Sequence, residues 1–159
     1  MMTASHMMFG GAQQSTYGTA KIAVMGIAKA LAIERKQHGI LINTVSPMAY
    51  TPCSGAYIDE QTRPIIQAQM PAADVAITVA WLAHKNSQVT GETVGLTNRL
   101  IARVFLAETK GYFGPEDEAW TLESARDNWH KVLDESEYTV STDMAEYGPK
   151  IFQRLLTRQ

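Results

Sequence analysis

Apolar positions along this chain fall into two alternating periods. From residue 14 to about residue 37, small and apolar residues recur at Ala20, Ala23, Ile27, Ala30 and Leu31, close to helical spacing. Gly26 lies inside this run, at a cost of about 1 kcal/mol relative to alanine. Glycine and alanine along one stripe predict that another backbone approaches closely there. His38-Gly39 supplies the stop. Ile40–Val45 is then a short apolar, partly β-branched run ending at Pro47, which predicts a buried parallel strand. Residues 48–70 contain Pro52, Gly55 and Pro64 and read as a lid-sized loop with a helical turn. Pro71 starts a helix to about Lys85, with Val75, Thr78, Val79 and Leu82 inward. Gly91–Leu96 and Leu100–Ala107 predict two more strands, connected through Thr97-Asn98. Residues 121–134 predict a third helix, capped by Thr121, with Leu122, Ala125, Trp129 and Val132 on its apolar face and an Asp127–Lys131 pair. A strand remnant is expected near Met1–Ala4 and a last helix near Pro149–Leu156. Together these elements predict an α/β part over residues 1–113 and a helical C-terminal extension over 114–159 packing on it.

Composition narrows the function classes. The chain has 159 residues, is 45% hydrophobic and 19% charged, and carries a formal net charge of −2. That balance argues against a nucleic-acid binder, which is basic with clustered Lys and Arg. No apolar run reaches about 18 residues, so no membrane span is expected. The N-terminus has no basic residues before an apolar stretch and does not read as a signal peptide. A single cysteine, Cys53, excludes an intrachain disulfide and fits a reducing compartment, the cytoplasm by default. His6, His38, His84 and His130 show no metal-ligand spacing. They read as surface or structural residues, with His38 at a helix C-terminus. Cys53 has no visible activating base and reads as an inert thiol. Glu116-Asp117-Glu118 reads as a solvated charge run, and Trp81, Trp120 and Trp129 as core or interface anchors.

Candidate chemistry concentrates at the start of the long helix. Tyr17 and Lys21 are four apart and therefore lie on one helix face, one turn from each other. A free tyrosine is protonated at neutral pH, and an ammonium within a few ångströms favours the phenolate. Such a pair can donate and accept the proton of a carbonyl/alcohol interconversion. A Tyr-x-x-x-Lys spacing alone is common in chains of this size; its surroundings give it meaning.

The words Tyr17-Gly18-Thr19-Ala20-Lys21, Leu31-Ala32-Ile33-Glu34 and Ile42-Asn43-Thr44-Val45-Ser46-Pro47 stand in a helix, buried strand, Pro-ended turn, lid, helix, strand order. Over roughly residues 3–97 this order resembles the short-chain dehydrogenase/reductase family. Arg99–Phe113 followed by Leu122–Leu133 looks like the C-terminal part of the subgroup with (3R)-hydroxyacyl-CoA dehydrogenase domains of multifunctional β-oxidation enzymes. The resemblance implies a Rossmann-like doubly wound parallel sheet, incomplete because the first strands and the Gly-rich turn of the family have no counterpart in this sequence. It implies that Tyr17 is the general acid/base and that Lys21 assists it and holds the nicotinamide ribose. Pro47 would lie beside the nicotinamide, and Thr51 would contact its carboxamide. The family's serine, about 13 residues before the tyrosine, falls on Ala4, and Ser5 is the nearest substitute. The cofactor implied is NAD or NADP, and the substrate a carbonyl or secondary alcohol, an acyl-CoA thioester by the subgroup likeness.

The family's catalytic asparagine on a preceding helix also has no counterpart, so the chain reads as the C-terminal half of the fold. The strand at 40–46 is then expected to lack neighbours on one side, and the helix of residues 14–37 to expose an apolar stripe. Two functions follow. One is a short-chain NAD(P)-dependent oxidoreductase, present as a truncated chain. The other is a non-catalytic remnant or assembly module that needs a partner or the missing half, with homo-oligomer contacts through the 14–37 helix. The second is preferred for the chain by itself, because dinucleotide affinity depends on the glycine turn.

Overall fold

The computed structural model of the chain describes residues 1–157. It contains two compact units, Met1–Val104 and the residues from Phe105 on. The first holds a four-stranded sheet in the order β1 (Met2–Thr3), β2 (Thr44–Met48), β3 (Thr93–Thr97), β4 (Leu100–Val104). The first three strands run parallel, with Thr3 opposite Val45 and Val45 opposite Val94. β4 returns antiparallel to β3, Thr97 opposite Leu100. The turn between them passes through Asn98 in the left-handed region, φ 49°, which a short polar side chain tolerates. This is an α/β fold of Rossmann-like type with one antiparallel strand added.

Helix α1 (Ser15–Arg35) lies against β1 and β2 and buries Met25, Ala28 and Ala32. The expected stripe of Ala20, Ala23, Ile27 and Ala30 is exposed instead, Ile27 by 53%. The close backbone approach predicted at Gly26 is also absent: nothing lies within 4 Å of a Cβ placed there. It occurs two turns earlier, where a Cβ on Gly18 would stand 2.8 Å from the carbonyl oxygen of Met7. Gly39, φ 68°, ends the 3-10 turn Lys36–His38 that follows the helix, as His38-Gly39 predicts.

The strand expected at Ile40–Val45 begins later. Ile40 and Leu41 are exposed, and the ladder opens at Thr44. Asn43 sets this start. Its side chain donates to the Val89 carbonyl at 2.6 Å and accepts from the Glu92 N–H at 3.2 Å. Ile42 N–H donates to Thr90 Oγ1 and its carbonyl accepts from Gly91, so Ile42 is tied to a loop, while the Asn43 carbonyl already accepts from Met2 of β1. β2 is not left without a neighbour on one side: β1 pairs with Thr44 and Val45. Pro47 sits beyond the reach of β1, opposite Leu96, where its missing N–H interrupts no ladder.

Helices α2 (Pro52–Gly55), α3 (Arg63–Gln69) and α4 (Ala72–Leu82) follow. α4 buries Val75, Thr78 and Leu82, as its periodicity predicts. Val75 and Leu82 form a core with Val45 and Leu96. Strand alternation turns the neighbours of Val45 and Leu96, which are Ser46 and Gly95, to the opposite face. That second face is polar, with Thr44, Ser46 and Thr93 all buried.

The second unit pairs β5 (Glu108–Thr109) with β6 (Tyr138–Thr139) and holds α5 (Leu122–Asp127), α6 (Trp129–Val132) and α7 (Met144–Thr157). Thr121 caps α5 through the Ser124 N–H, as expected. The single helix predicted over 121–134 is broken at Asn128, whose side chain takes the Ser124 carbonyl. Leu122 and Trp129 point outward rather than onto a common apolar face. Asp127 pairs with Arg126 instead of Lys131, and the Lys131 ammonium lies 4.6 Å from the Tyr112 ring centroid. The last helix starts at Met144, five residues before the expected Pro149, and carries that proline in its interior.

Candidate active site

Parallel pairing of β1 and β2 puts the residues that follow each strand at one edge of the sheet, the carboxyl edge where open α/β sheets bind ligands. From β1 the chain enters a 3-10 turn at His6–Phe9, then a short loop into α1. From β2 it runs through Ala49 and Tyr50 to Thr51. Ser5 follows β1, and Thr51 follows β2, on this side of the sheet.

Tyr17 and Lys21 lie on the same face of the first turns of α1. The Lys21 ammonium is 5.4 Å from the Tyr17 ring centroid. It also donates to the Thr3 carbonyl at 3.0 Å, which fixes the cation between the helix and β1. Tyr17 is 45% exposed, so its hydroxyl can meet a ligand from solvent. Gly18 lets the turn at His6–Phe9 touch the helix directly beside Tyr17.

Ser5 caps that turn. Its hydroxyl accepts from the Met7 N–H at 3.3 Å, and its carbonyl accepts from Met8. Ala4, in the position of the family's serine, is buried at 3% exposure and has no hydroxyl to offer. Pro47 is exposed near the end of β2. Thr51 caps α2: its hydroxyl accepts from the Ser54 N–H at 3.2 Å, and its own N–H donates to Ser54 Oγ at 2.8 Å. Sequence reasoning missed two polar residues: His6, which follows β1 at this edge, and Asn43, which precedes β2 at the opposite end of the strands. The signal for Asn43 was present, since an asparagine inside the apolar run Ile40–Val45 must be hydrogen-bonded if buried. For His6 there was none, because its partner Ser46 is 40 residues away.

Residues 1–96 match the family described as Enoyl-(Acyl carrier protein) reductase. The chain is 28% identical over 135 residues to the peroxisomal multifunctional enzyme type 2 of Mus musculus, covering 84% of this chain and 18% of that protein. It is 38% identical over 93 residues to the 3-oxoacyl-(acyl-carrier-protein) reductase FabG of Vibrio cholerae, covering 54% of this chain and 38% of that protein. Among solved structures, the full-length peroxisomal multifunctional enzyme type 2 of Drosophila melanogaster superposes with a TM-score of 0.79 at 22% identity, over 98% of this chain and 28% of that one. The chain thus spans less than a fifth of the mouse relative and under a third of the fly protein, and the fly structure speaks for the fold. With the family match extending over more than half of its residues, the chain belongs to the short-chain dehydrogenase/reductase family.

Proposed function

We propose that the chain carries the proton-transfer half of an NAD(P)-dependent oxidoreductase site acting on a carbonyl or secondary alcohol. The observation that supports this reading is the exposed Tyr17 with the Lys21 ammonium 5.4 Å from its ring, tethered to Thr3. Tyr17 donates its hydroxyl proton to a developing alkoxide, or accepts one from an alcohol in the reverse direction. Lys21 stays beside Tyr17, its ammonium held by the Thr3 carbonyl. Lys21 has two further N–H donors besides the one given to Thr3, enough to hold a ribose hydroxyl. Pro47 and Thr51 supply an apolar wall and a polar contact at the same sheet edge. Ser5 is the hydroxyl nearest in sequence to the family's serine, and in this reading its O–H polarises the carbonyl while its oxygen keeps the Met7 N–H. A bound nicotinamide would supply or take the hydride. These residues fit its nicotinamide and ribose end, whereas Gly10-Gly11 do not form a phosphate cradle: Gly11 is packed against the Met7 sulfur of its own turn.

The substrate proposed is an acyl thioester, supported by the Vibrio cholerae relative, whose name specifies a 3-oxoacyl group on acyl carrier protein. The compartment proposed from the lone Cys53 is reducing and cytoplasmic, although the mouse relative is named as peroxisomal. No helix among the described residues is long and apolar enough to cross a membrane. A second reading, an assembly module, is favoured by the outward stripe of α1, which a second copy of the chain would cover.

Titration of the purified chain with NADH and NADPH, followed by fluorescence, and turnover of a 3-oxoacyl-CoA test the first reading. Saturable binding and a rate that drops at least about a hundredfold in Tyr17→Phe are expected. Absence of both binding and turnover would overturn it.

A further inference from the structure

His6 occupies an unusual place. It is half-buried between the 3-10 turn and the polar face of the sheet. Nδ1 of His6 and Oγ of Ser46 share a hydrogen bond at 3.0 Å, and Ser46 has no exposure to solvent. On the next strand Gly95 leaves room for the ring: a Cβ there would stand 2.7 Å from Nε2. Phe9, at the end of the same turn, lies against the imidazole with ring centroids 5.9 Å apart. The ring is therefore held by β2, by β3 and by its own turn.

What the ring holds in place leads directly to Tyr17. Met7, the next residue, puts its carbonyl oxygen where a Cβ on Gly18 would be 2.8 Å away, so the turn and the helix touch backbone to backbone beside Tyr17. Ser5, the preceding residue, closes the turn by accepting from the Met7 N–H. Upstream, the Thr3 carbonyl takes the Lys21 ammonium. Both members of the Tyr17–Lys21 pair thus rest on segment 3–9, and His6 is the side chain of that segment bonded to the buried sheet face.

We propose that His6 is a positioning residue for the Tyr17–Lys21 pair, acting through its bond to Ser46 and its fit over Gly95. The consequence for turnover rests on the role proposed above for Tyr17; the mechanical coupling does not. Without the imidazole, the segment keeps its Ser5 cap and the Ala4 N–H bond to the Val45 carbonyl, but the turn beyond them loses its side-chain bond to Ser46, and the surface on which Gly18 rests is less firmly held. A rigid support of this kind matters because a catalytic group displaced by about 1 Å can lose about a hundredfold in rate.

The test uses the full chain as wild type, His6→Ala, His6→Asn and Ser46→Ala. Amide hydrogen exchange is read at Gly18–Lys21 and, as an internal reference, at residues 45–46 and 94–96. His6→Ala and Ser46→Ala are expected to speed exchange at Gly18–Lys21 by about tenfold while the reference amides change by less than about twofold. His6→Asn, whose amide lies close to the Nδ1 position, is expected to restore most of the protection. In turnover of a 3-oxoacyl-CoA, His6→Ala should lower kcat about tenfold and leave KM within about twofold. Unchanged exchange at Gly18–Lys21 in both Ala variants, or an equal rise at the reference strands, would overturn the proposal. A wild-type chain without dinucleotide binding would remove the oxidoreductase reading only, since the exchange experiment decides the coupling without turnover.

Discussion

Two glycines of α1 separate what a helix position needs from what it tolerates. Gly18 stands 2.8 Å, measured from a built Cβ, from a backbone oxygen that has no flexible end to move aside. Gly18→Ala is therefore expected to destabilise the chain by about 1–3 kcal/mol and to disturb Tyr17 beside it. Gly26 faces open space in the helix interior, so Gly26→Ala should stabilise by about 0.5–1 kcal/mol. Urea unfolding of the two variants checks both signs at once, and a stabilised Gly18→Ala would refute the close contact. Asn43 belongs to the same scale. One buried amide satisfies two loop groups and thereby decides where β2 begins.

At the scale of elements, α1 and α7 give separate expectations. The outward stripe of α1, including Ile27, is exposed, and the assembly-module reading proposed above makes it the contact between copies. Sedimentation should show mass rising with concentration for the wild type, and Ile27→Asp should weaken the association constant by about tenfold or more. Identical sedimentation of the two would rule out this helix as the contact. In α7, Glu146 accepts from the Lys150 ammonium and from the N–H and hydroxyl of Thr142. These bonds, with Lys150 the largest influence, hold its carboxyl down at about 2 from an ordinary 4.5. A carboxyl lowered in the folded state contributes stability above its unfolded value and loses that contribution as pH falls toward the folded one. The first turn of α7 should therefore fray between about pH 4.5 and pH 2. Loss of Thr142 amide protection over that range would be seen by NMR, and Glu146→Gln should abolish the pH dependence.

For the whole molecule, the two units differ in what they bury. Among the described residues, every buried hydrophobic side chain lies between Ala4 and Leu96, within the first unit. The second unit is held by half-buried aromatics, caps and short strand pairing, and local opening is cheapest where burial is least. Limited proteolysis should cut first beyond Val104 and leave a resistant fragment of about 1–104. Early cuts inside β2 or β3 would contradict this.

The sequence by itself determined the order of the long helix, the three main strands and α4, the helix stop at Gly39, the inward face of α4, the cap at Thr121 and the shared face of Tyr17 and Lys21. Each of these follows from dihedral preferences and spacings within a few residues, which no distant contact has to supply. Other features needed partners far along the chain. Which side of α1 faces inward depends on β1 and β2. The start of β2 depends on a loop some 46–49 residues away, through Asn43. The break at Asn128 is local, through its bond to the Ser124 carbonyl, and it accompanies Leu122 and Trp129 facing solvent. The seating of Tyr17 likewise required folding, since Gly18 had to meet Met7 and His6 had to meet Ser46 before the pair had anything to rest on. Periodicity shows that a residue is apolar and how often it recurs; burial is a property of what arrives from elsewhere, and that is decided in three dimensions.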